Sequence, residues 1–369
     1  MNKVTGLKTK PHYEILDGLR GVAAILVVCF HLFEAHATSH FNQIINHGYL
    51  AVDFFFVLSG FVIGYAYDDR WNKMTLKDFF KRRLIRLQPM IVLGGLIGAA
   101  FFYFGLGSNI DQTSAGMLML ATFASCLLLP LPLGMDIRGW TEMYPLNGPE
   151  WSLFFEYIAN LLYALFIRRF SNTMLAVFVF FSGCLTIHFL FTNPNGDVIG
   201  GWALTAKELY VGFARLLYPF FTGLLLSRLK LTIRIPHPFF FCSLLVILLL
   251  AMPRIGGENS LWMNALYESI SILFLFPLIV ILSSSSKALS EKEINPVCRF
   301  LGKISYPLYL THYPFVYMYF KYVHANPEAT TAGYWGWGIS IVAGCVLLAS
   351  LYGKVYDIPV RNWLKKKFL

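Results

Sequence analysis

Charged side chains are scarce in this sequence. Only 14% of its 369 residues are Asp, Glu, Lys or Arg, whereas about 25% are charged in ordinary soluble domains. Hydrophobic residues make up 57% of the chain, which is more than a soluble core can bury. Because one helical span of a bilayer takes about 20 apolar residues, this composition excludes a soluble globular protein and predicts an integral membrane protein in a lipid bilayer.

Cysteines at the spacing of metal sites or disulfide frameworks are also missing. The six cysteines lie far apart, and the sequence has no Cys-x-x-Cys motif. This spacing predicts neither a zinc site nor a disulfide framework. The six residues are Cys29, Cys126, Cys184, Cys242, Cys298 and Cys345.

Long apolar runs recur along the whole chain. Short polar or basic connections separate eleven such segments, which predicts an all-α polytopic membrane helix bundle. We expect a single domain across residues 1–369, with no appended soluble domain. The segments are 16–36, 49–67, 90–106, 115–133, 151–168, 174–192, 209–227, 238–252, 267–283, 304–322 and 336–356.

Lysine and arginine are concentrated in alternate connections. The net charge is +10, but a nucleic-acid partner would need a basic stripe on a soluble face. The uneven distribution of lysine and arginine among the connections instead marks the cytoplasmic side of a membrane protein. We therefore expect a multi-pass protein of the cytoplasmic membrane with both termini inside. The basic connections are 1–20, 68–88, 168–169, 228–237, 284–303 and 354–369.

Two termini on one side require an even number of crossings, so one of the eleven segments should not cross. The best candidate is 115–133, because Pro130 and Pro132 near its end suit a re-entrant or outer-lying helix packed against protein. About ten transmembrane helices remain.

Arg20 and His31 lie within the first apolar segment. Eleven residues at about 100° each make roughly three full turns, so both side chains share one helix face about 16 Å apart. Ionisable residues inside a membrane are costly and often functional. The alternative is an arginine that reaches the interface and a histidine that bonds a neighbouring helix.

A basic cluster precedes the third segment, where Lys81, Arg82, Arg83 and Arg86 fall within six residues. On a helix, Arg82 and Arg83 lie one turn from Arg86 and form a cationic face suited to phosphate oxygens. The alternative is an anchor that touches lipid head groups.

Three further strings place polar groups at depth. Each alone is compatible with helix packing, but several polar groups in one bundle favour a functional site. The strings run from Asp53 through Ser59 to Phe61, from Asn147 through Trp151 to Glu156, and from Ser305 through Tyr309 to His312.

Together these strings resemble the acyltransferase-3 family in content and order. The resemblance covers nearly the whole chain and is strongest in residues 13–90. One departure is Glu150, which stands next to Trp151 where the family leads us to expect an apolar residue. The matching motifs are Arg20-x10-His31, Asp53 to Phe61, Arg83-x-x-Arg86 with Pro89, Trp151-Ser152-Leu153-x-x-Glu156 and Ser305-Tyr306-x-x-Tyr309-Leu310-x-His312.

The resemblance implies transfer of an acyl group, usually acetyl from coenzyme A, to a hydroxyl of an extracytoplasmic carbohydrate. His31 would be the general base or would carry the acyl group itself, and we favour the base. Asp53 or Glu156 would orient its ring. No metal and no tightly bound cofactor is expected. The donor would contact Arg20, Arg82, Arg83 and Arg86, and the substrate path would be lined by Ser59, Trp151, Tyr309 and His312.

Two alternatives from other classes remain at this stage. A proton-coupled carrier of sugars or lipid-linked intermediates would also place His, Asp and Arg at depth, although we find no internal repeat. A lipid-sensing or structural membrane protein would not need Arg20 or His31.

Overall fold

The computed structural model describes residues 10, 12–39, 41–107, 113–231, 233–284 and 296–369, and within these ranges it contains helices and no strand. The all-α prediction is confirmed. The helices are α1 Glu14–Glu34, α2 Ala51–Tyr67, α3 Leu76–Tyr103, α4 Ala115–Leu127, α5 Glu150–Leu165, α6 Asn172–Thr192, α7 Ala206–Leu229, α8 Pro238–Ala251, α9 Leu261–Ile270, α10 Phe276–Ser284, α11 Pro296–Thr311, α12 Tyr313–Ala325, α13 Thr331–Tyr352 and α14 Ile358–Phe368.

Helix length separates the membrane spans from shorter helices. In the described ranges, seven helical stretches are long and apolar enough to cross a bilayer. Two of them continue through a π-helical turn, from α9 into α10 and from α13 into α14. The expected count of ten crossings is not confirmed. Helix α4 has 13 residues, fewer than the roughly 20 that a span needs, and its predicted failure to cross stays a prediction.

Two predicted segments have different boundaries in the structure. Helix α3 begins at Leu76, within a capping box formed by Thr75 and Asp78, so the basic cluster lies inside the helix. The prediction of one continuous segment over 304–322 is wrong, because α11 ends at Thr311 and α12 begins at Tyr313. Pro314 follows the break, and proline lacks the amide hydrogen that would continue the helix.

Glycines allow α2 and α7 to cross in backbone contact. A Cβ atom added at Gly60 would lie 1.7 Å from the carbonyl oxygen of Phe220, and one at Gly223 would lie 2.0 Å from that of Val57. Small residues at helix crossings permit such close approach in membrane bundles. This crossing fixes the polar residues of α2 against those of α7.

A fully buried polar cluster ties the segment before α2 to α9. The hydroxyl of Tyr49 donates to Glu268 at 2.5 Å, and the side-chain amide of Asn264 donates to the same carboxylate at 2.7 Å. His47 lies 3.0 Å from the amide oxygen of Asn264. Because these groups satisfy one another, we assign Glu268 to the architecture of the bundle.

Candidate active site

Two cavities open between the helices and share part of their walls. We call them the basic cavity, of about 320 Å³, and the aromatic cavity, of about 400 Å³. Val52 and Tyr309 line both, so the cavities meet there. The basic cavity has the cations Lys10, Arg20, Arg70, Arg83 and Arg86 in its wall. The aromatic cavity has Phe30, Tyr49, Trp140, Trp151, Trp202, Tyr309, Tyr313 and Phe320.

His31 lies in the last turn of α1 and faces the aromatic cavity. Its Nδ1 is 2.8 Å from Oε2 of Glu34, three residues later on the same helix. An ionised carboxylate only accepts hydrogen bonds, so Nδ1 donates to Glu34 and the lone pair is left on Nε2. The pair therefore presents an oriented imidazole with one basic nitrogen, which is the arrangement that general-base chemistry requires.

Asp53 is not the partner of His31. Its Oδ2 accepts a hydrogen bond of 2.7 Å from Nη2 of Arg215, and the two side chains are 0% and 1% exposed. Arg215 also donates to the backbone oxygens of Tyr49 and Gly200. The expectation that Asp53 orients the ring of His31 is therefore wrong, because the crossing of α2 and α7 directs this carboxylate to an arginine.

Glu156 faces the basic cavity and does not contact His31 either. Its Oε1 accepts hydrogen bonds from Nη2 of Arg83 at 2.7 Å and from Oγ of Ser59 at 3.1 Å. The expectation that Glu156 orients His31 is wrong for the same kind of reason. The carboxylate of Glu156 instead compensates the charge of Arg83 and holds Ser59 in the wall of the basic cavity.

The arginine cluster is split by the geometry of α3. Arg83 and Arg86 line the basic cavity, as does Arg20 from α1, but Arg82 is not part of its wall. Arg20 is also paired with Asp17, at 2.7 Å between Nη1 and Oδ1. Within the expected donor-binding set, Arg86 is the cation of α3 that faces the cavity without a carboxylate partner among the described residues.

Tyr309 and Trp151, both expected along a substrate path, line the cavities, and that role stays a prediction. Tyr309 belongs to the wall that the two cavities share, and its hydroxyl is 2.7 Å from Oγ of Ser152. Trp151 lines the aromatic cavity, and the guanidinium of Arg215 lies 5.0 Å from its ring centroid. This contact connects the buried ion pair of α2 and α7 to the cavity wall.

His312 occupies the break between α11 and α12 and packs against His31. It is fully buried, lines neither cavity in the described part of the chain, and its ring stacks on that of His31 with centroids 5.9 Å apart. Its Nδ1 is 2.9 Å from the backbone oxygen of Tyr309. The expectation that His312 lines the path is corrected to a packing contact with His31.

Glu150, the departure from the family motif, has a structural partner set. Its carboxylate accepts hydrogen bonds from Oγ of Ser125 at 2.7 Å and from the side-chain amide of Asn147 at 3.1 Å. Ser125 belongs to α4, so Glu150 attaches that short helix to the start of α5.

Glu142 adds a second carboxylate to the aromatic cavity, from the connection between α4 and α5. It accepts hydrogen bonds from the hydroxyls of Tyr317 at 2.5 Å and Tyr313 at 3.4 Å. Burial raises the pKa of Glu142 to about 7, although the Tyr317 hydrogen bond opposes the shift. The rings of Tyr313 and His31 are 4.9 Å apart, so this carboxylate is one residue away from the imidazole.

The raised pKa of Glu142 predicts a pH-dependent stability. Burial favours the protonated form of Glu142 in the folded protein. The contribution of this group to stability is therefore complete below its usual pKa of 4.5 and is lost as pH rises to about 7. We expect the melting temperature in detergent to fall across that range, and Glu142→Gln to flatten the profile. The exposed Glu328 provides the control Glu328→Gln. An unchanged pH profile in Glu142→Gln would contradict the assignment.

Two residues of the site were missed by the sequence analysis. Glu34 had a local signal, because a carboxylate three residues after His31 lies on the same helix face. Glu142 had none, since its place depends on how the connection before α5 folds against Tyr317.

Comparisons with known proteins identify the family. The chain matches the acyltransferase-3 family model, described as an acyltransferase domain, over residues 13–353. Protein 2 in the picA locus of Rhizobium radiobacter is 38% identical over 160 residues, which are 41% of this chain and 80% of that protein. The O-acetyltransferase OatA of Staphylococcus aureus strain NCTC 8325 is 26% identical over 314 residues, which are 82% of this chain and 50% of OatA.

A putative O-acetyltransferase of Staphylococcus aureus strain COL is 28% identical over 351 residues, which are 87% of this chain and 54% of that protein. The chain thus spans about half the length of these two relatives. No solved structure matches it. The family match includes α1 to α13, and with them the whole wall of the aromatic cavity and all of the basic cavity's wall except Lys10 and His12. The chain belongs to the acyltransferase-3 family of membrane acyltransferases.

Proposed function

We propose that this protein transfers an acetyl group from acetyl-coenzyme A to a hydroxyl of a carbohydrate on the opposite side of the membrane. The observation that carries the proposal is the meeting of two chemically different cavities at Val52 and Tyr309. One cavity is basic and suits a phosphorylated donor. The other is aromatic and contains His31. Both relatives of Staphylococcus aureus are named as O-acetyltransferases or putative O-acetyltransferases, which supports an oxygen acceptor.

The donor binds in the basic cavity. Lysine and arginine are the usual partners of phosphate oxygens, and coenzyme A is a polyanion of the cytosol. We therefore assign the end of the bundle that contains Arg20 and Arg86 to the cytoplasmic side, in agreement with the concentration of basic residues in its connections. The protein would then lie in the cytoplasmic membrane with both termini inside.

The acceptor binds in the aromatic cavity. Tryptophan and tyrosine rings offer flat apolar surfaces with polar edges, which suit the faces and hydroxyls of a sugar ring. Trp140 and Trp202 supply such rings, and Glu34 and Glu142 supply hydrogen-bond acceptors. A surface polysaccharide or its lipid-linked precursor presents sugars of this kind.

His31 carries the chemistry in this proposal. Nε2 takes the proton of the acceptor hydroxyl while the hydroxyl oxygen attacks the acetyl carbonyl carbon, and the C–S bond of the thioester then breaks. The proton on His31 passes to the departing thiolate of coenzyme A. Glu34 stabilises the imidazolium that forms between these steps. Transfer through an acetyl group on His31 is the alternative route with the same residue.

A donor assay with the purified protein tests the proposal. Labelled acetyl-coenzyme A should lose its acetyl group to water slowly, and to a carbohydrate acceptor faster. Mass spectrometry of surface polysaccharide from deletion and complemented cells should reveal the acceptor sugar. A protein that neither hydrolyses nor transfers the label, yet moves a sugar across vesicles, would be a carrier and would contradict the proposal.

Removal of one cation from the basic cavity should weaken donor binding. We expect Arg86→Ala to raise KM for acetyl-coenzyme A with little change in kcat, because a charge-assisted contact contributes roughly 1.5–3 kcal/mol. Lys81→Ala is the matched control. This substitution removes the same charge from α3, but Lys81 lies outside the cavity wall. Equal KM values for wild type and Arg86→Ala would assign the cluster to membrane anchoring.

A further inference from the structure

A third and larger cavity adjoins the basic cavity. It has a volume of about 1150 Å³ and lies between the ends of α2, α6 and α7. Lys10, Tyr13 and Tyr65 line both this cavity and the basic cavity, so they form the partition between the two. We call it the phosphate groove, and its polar wall includes Arg168, Ser171, Asn172, Arg228, Lys230 and Arg234.

The groove has more positive charge than its own acids neutralise. Its two carboxylates are already occupied, because Asp68 pairs with Arg228 at 2.6 Å and Asp69 pairs with Lys10 at 2.7 Å. Its other cations make no ion pair with any described residue. These cations are Arg168, Lys230 and Arg234. Within the described residues these three cations have no carboxylate partner, so an anionic ligand would meet uncompensated positive charge there.

Two local features reinforce this charge. Arg168 stacks on the ring of Trp71, with its guanidinium carbon 4.0 Å from the centroid, and its buried Nε has no hydrogen-bond partner among the described residues. Ser171 and Asn172 form the start of α6, where Oγ of Ser171 accepts the amide of Met174, and the remaining first-turn amides and the helix dipole favour negative charge. The groove thus offers both charged and backbone donors to a phosphate group.

The shape of the donor matches the pair of adjoining cavities. An acyl-coenzyme A carries its thioester at one end of a long pantetheine arm and a phosphorylated nucleotide at the other, with a pyrophosphate between the arm and the nucleotide. The basic cavity shares Val52 and Tyr309 with the aromatic cavity, whereas the groove shares no lining residue with the aromatic cavity. A wide basic groove beside a narrower cavity therefore corresponds to the nucleotide end and the arm.

We propose that the phosphate groove binds the 3′-phosphoadenosine end of the donor, while the arm passes the partition at Lys10 and Tyr65 into the basic cavity. This inference rests on the proposed function, and it predicts that the protein recognises the 3′-phosphate. An anionic phospholipid head group has the same phosphate chemistry, so an experiment must separate the two sources.

Donors that lack parts of the nucleotide distinguish binding of the donor's 3′-phosphate from binding of a phospholipid head group. We expect Lys230→Gln/Arg234→Gln to raise KM for acetyl-coenzyme A roughly tenfold in nanodiscs of neutral phosphatidylcholine, because two partly exposed cation–phosphate contacts are lost. KM for acetyl-dephospho-coenzyme A and for S-acetylpantetheine should not change. Arg86→Ala, by contrast, should raise KM for both coenzyme A donors. The control Lys365→Gln/Lys366→Gln removes the same charge from α14, outside both cavities.

The remaining outcomes each decide the matter. Equal KM values for acetyl-coenzyme A in the groove variant and wild type would overturn the inference, and loss of co-purified anionic phospholipid in that variant would then assign the groove to lipid. The single variant Arg234→Gln tests the same point if the double variant does not fold. If the unaltered protein uses none of the three donors, the proposed function fails instead of the groove assignment.

Discussion

Transfer of the acetyl group should fall by roughly 100- to 10,000-fold in His31→Gln, which is the range expected for loss of a general base. Glutamine keeps hydrogen-bonding atoms and approximate size, but it does not exchange a proton near neutral pH. The substitution therefore separates the chemistry of His31 from its packing against Tyr313 and His312. The measurement is the steady-state rate with labelled acetyl-coenzyme A and a fixed acceptor.

A nearby histidine provides the control for this experiment. His36 lies just after α1, bonds the hydroxyl of Tyr319 and lines neither the basic nor the aromatic cavity. His36→Gln should leave the rate close to that of wild type. Donor affinity and melting temperature should be preserved in His31→Gln. Near-normal transfer by that variant would contradict both the general-base and the acyl-histidine routes.

Local sequence patterns predicted several parts of the site that lie on single helices. The eleven-residue spacing of Arg20 and His31 placed both on one face of α1, and the structure gives each a different cavity, the basic one for Arg20 and the aromatic one for His31. The same reasoning placed Arg82 and Arg83 one turn from Arg86, and of these three Arg83 and Arg86 line the basic cavity. Helix periodicity determines such relations, and it requires no knowledge of the tertiary structure.

Relations between distant helices were not predictable in this way. Asp53 and Arg215 are 162 residues apart in sequence, and their pairing depends on the close crossing at Gly60 and Gly223. The sequence analysis placed Asp53 at depth but assigned its carboxylate to His31. Nothing in a single sequence states which cation a buried acid will meet, because packing decides it.

Loss of Arg215 should destabilise the folded protein more than loss of any exposed cation. Arg215 and Asp53 are almost completely buried, and removal of one partner of a buried ion pair costs about 3–5 kcal/mol because the other charge is left uncompensated. We expect Arg215→Met to lower the free energy of unfolding by an amount of this order, measured by denaturant titration in detergent.

Asp53→Asn should also be destabilising, although less so, because the amide oxygen still accepts a hydrogen bond from the guanidinium. The combination of Asp53→Asn with Arg215→Met should cost less than the sum of the two single changes, since no buried charge remains without a partner. The half-buried pair of Glu14 and Arg299, whose side chains are 36% and 40% exposed, supplies the control. Glu14→Gln should cost about 1 kcal/mol or less.

The same variants distinguish an architectural Asp53 from a catalytic one. An architectural residue lowers stability, and activity falls only in proportion to the folded fraction. Substitution of a catalytic residue lowers activity and leaves stability unchanged. Wild-type stability without transfer in Asp53→Asn would therefore restore the catalytic role that the sequence suggested.

The contact of Arg215 with Trp151 adds one further expectation. Arg215→Met should raise KM for the acceptor, because the wall of the aromatic cavity loses its support, while KM for the donor stays unchanged.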